Sequence, residues 1–335
     1  MSWLSRRRQR RQTEVDGVDA IEEFWSWWAS VNSTYASAVA TGGAAAMADV
    51  LSAKVHAIHG GLDWELCEGM VSRHALCLSA ANAPDARTLP HRWMQRSPEP
   101  TAMWEYHPAR IQSLGWLKGQ LAIDGHDVVP ALLSLGVVVD DERQLLDVTA
   151  HHPEFAGMAE ATRFTLVFLA LDWAIGEHKV ERWIGRIDVS DEQLGDAVPV
   201  TALGEIVEGL AKRNDEHAWA VLGATDESGN DVIVTARRPL KPVDHPLYDL
   251  HGALAFPLSV GIEELHGIDD DIDSTFGHEA VVVATEVRAG TRTVHLYCDQ
   301  LTATRERIQS WSAQRPVTSV MWTIDPSWSR VAAYR

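Results

Sequence analysis

The sequence predicts an α+β protein of two domains, each a mainly antiparallel sheet packed by helices. Three observations point there. A chain of 335 residues is long for one domain, and 46% hydrophobic with 23% charged residues is an ordinary globular mix, so a sizeable core needs no disulfide or structural metal. Short apolar runs come in pairs around brief turns, as in antiparallel hairpins. Between the pairs lie segments with helical apolar spacing. The polar break DEQLGDAVP (191–199) is the expected boundary, giving domains 17–195 and 196–335 behind a disordered basic tail at 1–16.

The first helix is expected over 17–40. Ile21, Phe24, Trp27, Trp28, Val31 and Tyr35 follow i, i+3, i+4, i+7 spacing, which makes FWSWW mostly one buried stripe with Trp25 on a second contact. A further helix covers 44–58. LDWELCEGM and SRHALCLSAA form a hairpin within 62–81, a short helix occupies 86–97, and MWEYHPAR is a strand ended by His107-Pro108. Segments 132–139 and 144–150 flank the charged turn DDER (140–143). Segment 157–175 is apolar nearly all round, hence a buried helix, and Gly176 suits the position just past its end. ERWIGRIDV (181–189) alternates like a strand.

The second half repeats this plan without a residue-level repeat. TALGEIVEGLAKR is a helix, and HAWAVLGA and NDVIVTARR are strands around ESGN. DLHGALAFPLSV and HEAVVVATEV are strands separated by an acidic loop, IDDDIDSTFGHE (268–279). RTVHLYCD pairs across RAGT, LTATRERIQSWSAQ is a helix, and the chain closes with two strands broken at Asp325-Pro326.

The net charge of −18 argues against specific nucleic-acid binding and favours a basic partner, while Arg6, Arg7, Arg8, Arg10 and Arg11 form a local run able to touch anionic surfaces weakly. No apolar h-region follows that run, and no stretch reaches the length of a membrane span. Cys67, Cys77 and Cys298, an odd number without CxxC spacing, fit a reducing cytoplasm and neither a disulfide framework nor a zinc site. No GxSxG elbow, P-loop or dinucleotide loop is present, and no cofactor is implied.

The stretch LDWAIGEHKVERWIG gathers Asp172, Glu177, His178 and Glu181, with His152 as a further candidate. Carboxylates and histidine serve as acid, base or metal ligand, so a catalytic or binding pocket is one reading. The plainer one is a helix end fixed by an Asp172–arginine pair, with Arg110, Arg163 and Arg182 as partners, since the helix C-terminus disfavours an acid by about 0.3–1 kcal/mol. His151 and His152 are adjacent in a strand and point to opposite faces, so they suit a His-Pro turn better than a shared metal. Asp269, Asp270, Asp271, Asp273 and Glu279 lack the register of a calcium loop.

From Ala280 onward, AVVVATEVRAGTRTVHLYCD, a helix at 301–313 and IDPSW carry Arg292, Tyr297, Asp325, Pro326 and Trp328 in an order that resembles the bacterial domain of unknown function numbered 695. The resemblance covers about 100 residues and implies an α+β fold without a known activity. Similar domains are associated with ribonuclease E inhibitor B-like modules, small acidic proteins that bind an enzyme, which implies a regulatory role. The expected function is therefore a non-enzymatic interaction module whose acidic surface binds a basic protein. The alternative is a hydrolase or metal-dependent enzyme using the 172–181 cluster.

Overall fold

A computed structural model describes residues 3–80, 83–213, 218–259 and 262–335, the side chains of 3–18 and 262–266 excepted. The fold is α+β, with mainly antiparallel sheets packed by helices. The chain divides into two compact units, residues 1–140 with 145–212 and residues 213–335 with 141–144. No helix among the described residues is long and apolar enough to cross a membrane.

The first unit opens with α1 (Trp3–Ala40), which packs on α2 (Ala48–Ile58). The basic segment expected as a disordered tail is helical from Trp3 onward, in keeping with the high helix propensity of its Arg, Gln and Glu residues. Ile21, Phe24, Trp28 and Tyr35 are buried, as the stripe predicts. Trp25 makes the second contact: its ring lies 4.6 Å from that of Trp93 and its indole N–H donates to the Trp93 carbonyl at 2.9 Å. A three-stranded sheet follows, with β1 (Asp63–Glu68) antiparallel to β2 (His74–Ser79); after α3 (Leu89–Met94), β3 (Trp104–His107) joins β2 in parallel.

α4 (Leu114–Lys118) leads to the hairpin β4 (Leu121–Ile123) and β5 (His126–Val128). Asp124 and Gly125 both have positive φ there, the backbone that an Asp-Gly two-residue turn supplies. β6 (Ser134–Asp140) and β7 (Leu145–His151) then pair antiparallel around residues 141–144, as expected. α5 (Glu160–Ile175) is buried along most of its length. It is followed by a second helix, α6 (Glu177–Trp183), so the strand expected from 181 starts later, as β8 (Ile184–Val189), parallel to β7. Glu177 at the head of α6 places an acid where the helix N-terminus favours one.

β9 (Val198–Pro199) and α7 (Leu203–Ala211) complete the unit. Val200, Leu203, Val207 and Leu210 pack into one core with Leu166, Val167, Ala170 and Leu171 of α5. That burial moves the division of the chain from the expected 195 to 212/213, because α7 hides its apolar face in the first unit.

The second unit is a six-stranded sheet in the order β10-β11-β13-β14-β12-β15. Its strands are β10 (Trp219–Thr225), β11 (Asp231–Arg237), β12 (Leu250–Pro257), β13 (Ala280–Arg288), β14 (Thr291–Cys298) and β15 (Ser319–Ile324). α8 (Ile262–Phe276) and α9 (Thr304–Ser312) pack on one face. The expected acidic loop at 268–279 is therefore mostly helix. Ile268, Ile272 and Phe276 recur every four residues and are all buried, and that stripe outweighs the acidic run. The chain end also differs from expectation: Asp325-Pro326 is followed by a 3-10 helix, Ser329–Tyr334, rather than a second strand. The Asp325 carboxylate accepts the backbone N–H groups of Ser329 and Arg330 at 2.9 Å each, which caps that helix and leaves no ladder to extend.

Candidate functional site

Asp172 sits in the last turn of α5 and is 6% exposed. The arginine it requires there is Arg110, whose guanidinium lies 3.5 Å from Asp172 Oδ2, 3.6 Å from Glu65 Oε2 and 3.9 Å from Asp63 Oδ2. The backbone of Arg110 engages the next acid in turn. Its N–H donates to Glu177 Oε2 at 2.9 Å, and its carbonyl accepts the Glu177 N–H at 2.9 Å. The Ser79 hydroxyl donates to Glu177 Oε1 at 2.8 Å, and the Trp173 indole donates to Glu65 Oε2 at 3.2 Å. Gly176 makes the bend between α5 and α6 possible: its φ is +87°, and its N–H returns to the Asp172 carbonyl at 2.7 Å.

One guanidinium thus serves several carboxylates, and the imbalance shows in their protonation. Burial, reinforced by Glu177 and Glu65, raises Asp172 from 3.8 to about 7 against the pull of Arg110. Burial also raises Glu65, with Trp173 and Arg110 opposing and Glu177 adding to it, and Glu65 Oε1 is buried without a hydrogen-bond partner among the described residues. The arrangement can hold a proton near neutral pH on a carboxyl group that water barely reaches.

The other sequence candidates lie elsewhere. His178 stacks on His91 with ring centroids 5.0 Å apart, and burial lowers both rings, His91 to about 3. Glu181 pairs with Arg87 at 3.3 Å. The four acid and histidine candidates of 172–181 therefore split between two sets of partners. His152 is apart from both. It is 1% exposed, its Nε2–H donates to the Val129 carbonyl at 3.2 Å, and its Nδ1 accepts the Glu154 N–H at 3.2 Å, so it is a neutral ring that fixes a His-Pro turn. Among the described residues, no group of three or more His, Cys, Asp or Glu side chains is placed to hold a metal ion.

Glu65 and Ser79 were invisible as site members in the sequence, because they reach the cluster from β1 and β2, Glu65 meeting Trp173 across 108 positions of chain and Ser79 meeting Glu177 across 98. A second buried carboxylate, Glu105, was also missed. It accepts the backbone N–H groups of Met70, Val71 and Ser72 at 2.7–2.9 Å and contacts His107 at 2.9 Å. Burial pushes this acid upward, but His107 and the three amides outweigh it and hold it down at about 2.

In the second unit, three residues that carry the family resemblance meet in space. The Tyr297 hydroxyl donates to Asp325 Oδ2 at 2.7 Å, and Trp328 stacks on Tyr297 with centroids 4.2 Å apart. Arg292 pairs instead with Asp269 of α8. No family model, curated protein or solved structure matches the chain. The acidic run at 268–279 is largely engaged at home: Asp271 of α8 bonds Arg315 and the Trp311 indole, and Glu279 just beyond the helix bonds Arg307 and Thr304, while Asp270 and Asp273 face outward.

Proposed function

We propose that this chain is a non-enzymatic interaction module, working in a reducing cytoplasm, whose acidic surface binds a basic protein. The observation that carries the reading is the internal use of the 172–181 acids: Asp172 and Glu177 are spent on Arg110, and Glu181 on Arg87. What remains for an outside partner is surface charge, from a chain of net −18 with exposed acids such as Asp270 and Asp273 on α8. Complementary charge steers association and makes it depend on ionic strength.

The test is capture of partners by the tagged protein at about 50 and about 500 mM salt, beside an Asp270→Lys/Asp273→Lys variant. The reading expects a stoichiometric basic protein that salt releases and charge reversal abolishes. No partner at either salt, or one indifferent to both salt and reversal, sinks it.

A second reading, a hydrolase built on Asp172, has one observation in its favour, since a carboxyl titrating near 7 suits general acid–base work. Against it stand the burial of Asp172 against Arg110 and the departure of His178 and Glu181 to other partners.

A further inference from the structure

β10 is the terminal strand of the six-stranded sheet, and its sequence, WAVLGAT, contains none of the devices that protect a sheet edge: no charge, no proline and no bulge in its register with β11. Arg238 N–H donates to the Ala218 carbonyl, and Asp226 N–H to the Asn230 carbonyl, so even-numbered residues bond inward to β11. Alternation then turns the N–H and C=O of Trp219, Val221, Gly223 and Thr225 outward, to an edge on which no strand among the described residues pairs. The side chains of these same residues share one face of the sheet. On that face Trp219 is 41% exposed, Val221 71% and the β11 residue Ile233 49%.

We propose that a second copy of this chain covers this edge, with β10 pairing antiparallel to β10 of the partner about a two-fold axis at Leu222. Three features of the strand fit that occupant. Pairing centred on Leu222 uses all seven residues and sets Trp219 opposite Thr225 and Val221 opposite Gly223 of the other copy. All four carry outward-facing backbone groups, so each juxtaposition is a hydrogen-bonded pair. The most exposed of these side chains, Val221, meets a glycine whose Cβ position has nothing within 4 Å, so the strands approach without a clash. The charged residues of the two strands, Asp231 and Arg237, stand at opposite ends of the hairpin, so antiparallel pairing brings unlike ends of the two copies together. β15, at the far edge, is shorter and bounded by Pro316 and Pro326, which limits a ladder there. The pairing is independent of the basic partner proposed above.

The test is the molar mass of the full chain by light scattering between about 1 and 100 µM, compared with Val221→Lys, a charge placed on the exposed edge away from the core. The proposal expects a species of twice 37.0 kDa that the lysine shifts toward monomer by at least about tenfold in concentration. Leu222→Cys gives the register. At the two-fold axis its partner is itself, in a non-hydrogen-bonded pair with Cα atoms about 4.5 Å apart, within the span of a disulfide. Mild oxidation with diamide should cross-link Leu222→Cys and leave Ala220→Cys monomeric on a denaturing gel, the native cysteines being buried. A wild type that stays monomeric throughout overturns the proposal. So does a dimer that ignores Val221→Lys, or one in which Leu222→Cys does not cross-link.

Discussion

Replacing Asp172 with Asn isolates the effect of one buried proton. The amide matches the protonated acid in shape and cannot ionise. In the wild type, Asp172 moves from an ordinary 3.8 to about 7 on folding, chiefly through burial. A carboxyl whose folded value is raised binds its proton more tightly in the native state, so its contribution to stability is complete below about 3.8 and is lost as pH rises toward and through 7. Applying that linkage to the two values, the wild type loses about 2.5 kcal/mol between pH 5 and pH 8 that the Asn variant keeps. The attraction of Arg110 is already contained in the value of about 7. The assay is urea unfolding of both proteins at the two pH values, followed through the transition of the first unit; comparing the proteins at each pH cancels the groups they share. The stability difference should move in favour of Asn by about 2.5 kcal/mol as pH rises from 5 to 8. A difference that stays constant across the range means that Arg110 holds Asp172 ionised throughout, and the account of a guanidinium outnumbered by carboxylates is then wrong.

Arg110→Ala leaves Glu65 and Asp172 without their cation, while the backbone bonds to Glu177 remain, and should cost about 3–5 kcal/mol at pH 8, less at pH 5 where Asp172 carries its proton; thermal unfolding at both values reads the contrast. Glu105→Gln weakens the hold on the 69–72 turn, for a loss of about 2 kcal/mol and faster proteolysis there. Because Glu105 is held at about 2, its contribution is present above its unfolded value of about 4.5 and should fade as pH falls from there toward 2, opposite in sign to Asp172. Tyr297→Phe removes the donor to Asp325 while the ring stack on Trp328 remains, so unfolding should shift by about 1.5–3 kcal/mol without loss of the fold by circular dichroism.

What the sequence determined by itself is local. The α1 stripe, the buried run of α5, the break at Gly176 and the hairpins around 141–144 and Ala289-Gly290 all follow from apolar period and turn chemistry, which act over a few residues. The stripe Ile268, Ile272, Phe276 was equally legible, but five acids in twelve residues pointed to a loop, because nothing local announces the arginines at 292, 307 and 315 that offset them. The second strand expected after Asp325 failed for the same kind of reason, since Asp325 caps a 3-10 turn once Tyr297 holds its carboxylate. The tertiary structure alone decided which acids are buried together. Arg110 meets Glu65 from 45 positions away and Asp172 from 62, and His178 and Glu181 turn from their sequence neighbours to His91 and Arg87. Periodicity assigns a side chain to the inside or the outside of its own element. The partner it meets there, and hence whether a carboxyl keeps its proton at neutral pH, depends on how separate elements pack and on the water that packing excludes.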